Sequence, residues 1–369
     1  MPARILIHAL FICSFFLLTG GGWAAGYGRP ELQIIAQIKE RPGNIAVAPS
    51  GRMFISVHPF DNPIYKVMEL LPDGTTTPYP NEKWAAAPSA GGVGLSAVIH
   101  LKVLKNLLYI LDNGDKRTQP KLMAWDIEKN KLYRIWYLPA HVNTVQSFHQ
   151  DFVLTPDGKS AFIADMGQAD LAGKAEPALI YLNLETGEAA RRIVDHDGVR
   201  PSGKPMVAAG APLMLSKQGR QIPLHLALNP IAMDPKGEWV YFAPMGQGPL
   251  YKISVSDLTN MTMEGDLLLS KAILIGQKPA SDGMIADGFD NIFITSVVDG
   301  AIGVMNNRGK YTTWIRDPLL SWPDGMDFGL DGGMYVTVNQ LHLAAPFNGG
   351  EDKSTPPYMI VKITGGRPM

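Results

Sequence analysis

The sequence predicts an all-β fold: a six-bladed β-propeller of four-stranded antiparallel blades, its ring closed by the N- and C-terminal strands. Three observations predict it. There are 38 Gly and 29 Pro among 369 residues, which suits many short strands joined by turns. The stretch from Leu107 to Trp136 holds three short apolar runs, Leu107–Leu111, Lys121–Ile127 and Lys131–Trp136, separated by Asp-Asn-Gly, a Pro-containing loop and Glu-Lys-Asn. Runs this brief suit a meander of strands rather than helices, and a lone ribbon of them cannot bury its own faces. Finally, the pattern recurs six times along the chain, as a repeat architecture requires.

Taken in order, the chain begins with a segment that reads as an export signal. Arg4 is the single charge before the apolar run Ile5–Leu18, which is short for a membrane span. Gly22 and Ala24 place small residues where a signal peptidase needs them, so residues 1–25 are assigned to a signal peptide and the mature chain begins near Ala25. An uncleaved anchor is the alternative. The only cysteine, Cys13, lies inside this segment, so neither disulfides nor thiol chemistry contribute to the mature protein. The expected location is secreted or periplasmic.

Residues 26–369 read as one propeller domain. Leu32–Ile38 is an expected strand, and six units follow, each marked by an aromatic in a short strand: Phe54, Tyr109, Phe162, Tyr241, Phe293 and Tyr335. The spacings of 55, 53, 79, 52 and 42 residues are those of propeller blades. The 79-residue interval carries an insertion, Arg200–Gln221, rich in Gly, Pro and Met, of the kind that forms a lid or face loop. A last run, Tyr358–Ile363, is placed to pair with Leu32–Ile38 and leave no open sheet edge.

Composition narrows the function. With 46% hydrophobic and 18% charged residues the chain is an ordinary globular one, and its formal net charge of −1 favours neither nucleic acid nor an anionic membrane. A monomer is expected. The candidate chemistry lies at one phase of the repeat. Asn44, Asp151, Asn229, Asp282 and Asp324 each stand 10 to 12 residues before their marker aromatic, where the innermost strand of a blade enters the channel. The second unit breaks the rule, with Ala97 or Val98 at that place. Oxygen-bearing side chains converging on one axis suit Ca²⁺ or another divalent cation, and clustered carboxylates without one would raise each other's pKa. Asp and Asn before a strand also form local turns, which is the competing reading. His149 and Gln150 can reach the same mouth. Asp112 and Asp165 read as turn residues, and Asp195-His196-Asp197 as an exposed loop rather than a metal cluster.

LYILDNG followed by PKLMAWDIEKNKLYRIWYLP resembles the strand pair of the major royal jelly protein/yellow family. So do AFIADMG with ALIYLNLETGEAARRIVDH, and IAMDPKGEWVYFAPMGQGPLYKIS, and the likeness runs from about Gly43 to Asn339. That family is similar to the calcium-dependent gluconolactonase and senescence-marker-like propellers, which hold a metal on a Glu, an Asn and an Asp, with a second Asn near the substrate. By that resemblance Asn229 in LNPIAM and Asp282 in SDGM are metal ligands, Gln150-Asp151 partly matches the substrate-side pair, and Asn44 stands where the Glu would be. Two functions are implied. One is a non-catalytic exported propeller holding a small organic ligand through Asn44, His149, Gln150 and Asp324. The other is a metal-assisted lactonase or esterase with Asp151 and Asp282 as catalytic groups and Asn44, Asn229 and Asp282 on the metal.

Overall fold

A computed structural model describes residues 29–89 and 92–366 of the chain. The predicted export segment and its cleavage point lie outside the described residues. Among those described, no helix is long and apolar enough to cross a membrane.

The short runs become hairpins because their turn residues favour reversal. Leu107–Asp112 pairs antiparallel with Lys121–Asp126, which pairs with Lys131–Tyr137. In the turn between the last two, Asn130 adopts a left-handed φ of 46°, which Asn tolerates better than most residues, and Asp126 Oδ1 accepts from Lys129 N at 2.9 Å. Six four-stranded antiparallel sheets arise in this way, each beginning with a strand that faces the axis. Those inner strands are Pro42–Val47, Val98–Leu104, His149–Leu154, Leu228–Met233, Met284–Ala286 and Pro323–Phe328. All six marker aromatics fall in the second strand of their blade.

Side chains alternate across a strand, and here both faces are apolar. Leu108 and Ile110 pack toward the first blade, whereas Tyr109 and Leu111 pack toward the third. The same division gives six hydrophobic clusters, one between each pair of neighbouring blades. Each fully buried Leu, Ile or Phe in them contributes about 1.5–3 kcal/mol. The last cluster exists only because the termini meet. Glu31–Ile38 forms the outer strand of the sixth blade, with Leu32 opposite Ile363 and Ile38 opposite Tyr358.

Five inner strands slip register against their partner near the start. The unpaired residues are Gly43-Asn44, Ile99-His100, Gln150-Asp151, Asn229-Pro230 and Asp324-Gly325. In the fifth blade Asp282-Gly283 occupies the same place, just ahead of Met284. These bulges free backbone N–H groups, which need partners once buried. In three blades a hydroxyl two residues beyond the marker aromatic supplies the partner. Ser56 Oγ accepts from Asn44 N (2.7 Å), Thr295 Oγ1 from Asp282 N (3.0 Å) and Gly283 N (2.9 Å), and Thr337 Oγ1 from Gly325 N (2.9 Å). Ser56 and Thr337 each donate onward to the next blade, to Ile99 O and Gly43 O. Glycine is needed where blades come closest: a Cβ on Gly283 would run into the Asp324 carbonyl oxygen.

Replacing Thr337 by Val keeps the shape but leaves Gly325 N, the donor freed by the bulge of the sixth blade, and the Gly43 carbonyl without their hydroxyl. Denaturant unfolding of Thr337→Val is expected to show a loss of about 1–3 kcal/mol, with the same fold by circular dichroism. An unchanged midpoint would mean that the hydroxyl bridge contributes nothing.

Candidate functional site

The bulges aim side chains at one end of the channel. Gln150, Asp282 and Asp324 line a small cavity there with Trp322 and His58. Asp282 is buried; its Oδ1 accepts from Asn229 Nδ2 and its Oδ2 from Trp322 Nε1, both at 2.6 Å. Asp324 Oδ2 accepts from Asn339 Nδ2 at 2.6 Å. Asp151 Oδ1 lies 2.7 Å from His100 Nδ1. Asn44 sits at the seam of the first two blades, where Oδ1 accepts weakly from Leu101 N at 3.4 Å. His149 is buried with both ring nitrogens unpartnered and does not line this cavity.

The structure corrects the sequence reading at the second blade. The bulge there holds neither Ala97 nor Val98 but Ile99 and His100; Ile99 lines this cavity, while His100 carries the polar group and does not line it. His100 lies only nine residues before Tyr109, just outside the spacing seen elsewhere, which is why periodicity missed it. The phase is in fact double. In the first three blades the second bulge residue carries the polar group (Asn44, His100, Asp151), and in the last three the first does (Asn229, Asp282, Asp324). Trp322 and Asn339 gave no sequence signal. Trp322 is held at a left-handed φ of 62°, a strained conformation for a bulky residue, and that places its indole on Asp282.

The other acidic motifs behave as turns and anchors. Asp112 accepts from Ser96 N, Ala97 N, Gly114 N and Lys121 Nζ. Asp165 accepts from Ser147 Oγ, Phe148 N, Gly167 N and Arg191. Asp195 and Asp197 both pair with Arg200, while His196 Nδ1 accepts from Gly198 N, so the three do not converge.

The insertion roofs the mouth. It forms two ribbons, Val207–Ala208 with Ala211–Pro212 and Met214–Lys217 with Arg220–Pro223. Their apolar residues join those of a short segment ending at Phe347 in one cluster over the channel. Phe60, Phe148, Leu213, Leu226, Leu341 and Phe347 close the cavity to about 30 Å³, room for little more than a water. The fully buried Arg41 ties the same region down, donating to Asn339 O (2.7 Å) and pairing with Asp352 (2.9 Å) and Asp61 (3.1 Å).

Burial under this roof sets the electrostatics. It pushes the Asp282 carboxyl well up, reinforced by Asp151 and opposed by the bonds from Trp322 and Asn229 and by Lys278. Asp324 is pushed up by burial and then by Asp282 and Asp151. Lys278, whose Nζ donates to Gly246 O and Pro279 O, is pushed down to about 7 by the same desolvation. The oxygens are of the type a hard cation takes, and Asn229 Oδ1 is buried without a partner. Yet N–H donors hold both Asp282 oxygens, and among the described residues no group of three His, Cys, Asp or Glu is spaced to hold a metal. As arranged, the side chains do not fit a resident divalent cation. They make a dry, acidic, hydrogen-bonding floor beneath an apolar ceiling.

The sequence profile of the major royal jelly protein family matches residues 107–328. Solved structures share the fold at low identity. A gluconolactonase from Xanthomonas campestris is 12% identical, with 93% of this chain and 92% of that chain covered and a TM-score of 0.57. For a luciferin-regenerating enzyme the values are 13%, 91%, 95% and 0.56. For the PQQ-bound aldose sugar dehydrogenase of Streptomyces coelicolor they are 11%, 91%, 98% and 0.53. No curated protein matches the sequence. At these identities the likeness concerns the fold, not the chemistry.

Asp282 offers a pH test. Its pKa is raised on folding, so the wild type loses stability as pH rises from the ordinary carboxylate range through the raised value. Asp282→Asn has no such loss. The stability of the variant relative to wild type is therefore expected to improve between about pH 4 and pH 8, on the order of 1–3 kcal/mol. Thermal melts across that range check it; a pH-independent difference would show that folding leaves the Asp282 pKa unshifted.

Proposed function

From the premise that this chain belongs to the major royal jelly protein family, we propose that its propeller binds a small organic ligand at the roofed channel mouth. One observation carries the reading: Asp282, Asp324 and Gln150 share a cavity with an apolar ceiling of Phe60, Phe148, Leu213, Leu226, Leu341 and Phe347. Such a site takes a molecule with an apolar body and a hydrogen-bonding end, the usual composition of a small-molecule pocket. At about 30 Å³ the closed cavity holds no such molecule, so the roof moves on entry. The insertion between blades supplies Leu213 to the ceiling and packs over the rest of it, bonded to its surroundings through Gly349 N to Ser216 Oγ (2.9 Å) and Ala209 N to Val297 O (3.0 Å), among others. Moving it leaves the six-blade core intact. Arg4, the apolar run Ile5–Leu18 and the small residues Gly22 and Ala24 favour export to the periplasm or medium.

A metal-assisted lactonase or esterase is the second reading, favoured by the unpartnered Asn229 Oδ1 beside Asp282. That chemistry requires a divalent cation, and Asn229, Asp282 and Asn44 would have to turn to hold one. The hydrogen bonds from Asn229 and Trp322 to Asp282 weigh against it.

The two readings separate in a thermal-shift experiment. A library of small alcohols, amines and acids is expected to contain compounds that raise the melting temperature, as any ligand of the folded state does. Asp282→Ala should weaken that effect at least tenfold, while Asp112→Ala, lying outside the cavity, should leave the ligand response in place. Calcium is expected to leave the wild-type melting temperature unchanged. If calcium raises it and Asp282→Ala removes the increase, the cation reading replaces this one. Stabilising compounds indifferent to Asp282→Ala would place the ligand elsewhere.

A further inference from the structure

The opposite end of the channel is a separate cavity. It occupies about 320 Å³ at the C-terminal ends of the inner strands and is lined by the second to sixth blades. Its walls are soft and aromatic, with Phe152, Phe328, Met233, Met284, Met326 and Leu154 among them. Four lining side chains are charged or titratable: His100, Lys102, Asp234 and Asp327. Three are already satisfied within the protein. Lys102 Nζ lies 2.7 Å from Asp327 Oδ1, whose other oxygen accepts from Val47 N at 2.9 Å. Asp234 accepts from the N–H groups of Lys236, Glu238 and Trp239 in its own turn.

His100 is different. Its Nδ1 is bound to Asp151 Oδ1 at 2.7 Å, and its ring meets Phe152 edge-on with centroids 5.0 Å apart. Among the described residues no hydrogen bond reaches Nε2. A carboxylate only accepts, so in the neutral imidazole the proton sits on Nδ1 and Nε2 keeps its lone pair. The side chain is 12% exposed, and an acceptor without a protein partner that opens on a cavity of this size can take a donor from a ligand. An anionic ligand would lie unpaired, since Lys102 is already paired with Asp327, whereas a neutral one needs no counter-charge. Thioether and phenyl walls favour an aromatic body.

We propose that this end of the channel is a second binding site, for a small neutral aromatic molecule whose hydroxyl donates to His100 Nε2. Asp151 is the positioning residue, fixing the tautomer that leaves Nε2 as an acceptor. The site is spatially separate from the roofed mouth: the ligand enters from the other face, and the roof does not move.

The probe is 2-naphthol, with 2-methoxynaphthalene as a match of nearly the same shape that lacks the donor. Titration followed by probe fluorescence is expected to show one 2-naphthol site, with 2-methoxynaphthalene bound about tenfold more weakly, the worth of one hydrogen bond. His100→Leu should bring the two affinities together. Asp151→Asn, whose amide can offer either a donor or an acceptor to Nδ1, no longer fixes the imidazole proton there and should weaken the preference, even if His100→Leu proves too unstable to measure. Met233→Trp fills the channel and should abolish binding of both probes while leaving the response at the roofed mouth intact. Equal affinities in the wild type, a preference that survives both His100→Leu and Asp151→Asn, binding unaffected by Met233→Trp, or no binding at all would each overturn the proposal. The roofed site is read separately, through Asp282→Ala, and His100→Leu and Met233→Trp leave its carboxylates in place.

Discussion

Every blade in this protein is apolar on both faces, and that constraint governs the rest. A sheet with one wet face can end anywhere, but a sheet with two dry faces needs a neighbour on each side. Six blades satisfy the condition only when the last meets the first, so the pairing of Leu32 with Ile363 is the contact on which the ring depends. It brings Ala36 and Ile38 from the N-terminal strand into one cluster with Tyr358 and Ile360 from the C-terminal strand and Ile45 and Ile55 from the first blade. Without that contact the sixth blade has a bare edge and the first an exposed face.

Closure also creates the polar problem that the site resolves. Six inner strands crowd one axis, and each opens a bulge, or in the fifth blade a break, at the entrance. The bulge turns polar side chains toward the axis and releases N–H groups that cannot reach water. Ser56, Thr295 and Thr337 take up several of these donors; the equivalent positions in the other blades are Leu111, Ala164 and Ala243. The residues that shape the channel and those that stabilise its walls are therefore neighbours in space and nearly so in sequence.

Two ends of one channel end up with different character. At the roofed end burial raises Asp282 and Asp324 and lowers Lys278, because charge in a dry site is costly whichever its sign. At the other end Lys102 and Asp327 neutralise each other, leaving a mostly apolar cavity with one unfilled acceptor. The His100–Asp151 pair links the two, since His100 lines the lower cavity while the charge on Asp151 is felt by Asp282 and Asp324.

Fold class, blade number and closure were legible in the sequence, because they follow from local physics: strand-length apolar runs, turn residues such as Asn130 and Gly158, and an aromatic repeated at blade spacing. The strand starts expected at Leu107, Lys121 and Lys131 are the ones observed. The phase that places Asp282 and Asp324 in one cavity was also visible, since polar residues ahead of an apolar strand stand out, although Asp151 turns to His100 instead. What the sequence could not supply was the bulge. A one-residue slip decides whether His100 or Val98 faces the axis, and that slip is set by pairing with the neighbouring strand, not by the residue's own neighbours. The same holds for Trp322, whose indole reaches Asp282 only through a left-handed backbone, and for the insertion, whose ribbons become a roof only where the ring leaves an apolar mouth to cover. Local chemistry determined the strands and their number; the packing of blades around one axis decided which side chains meet there.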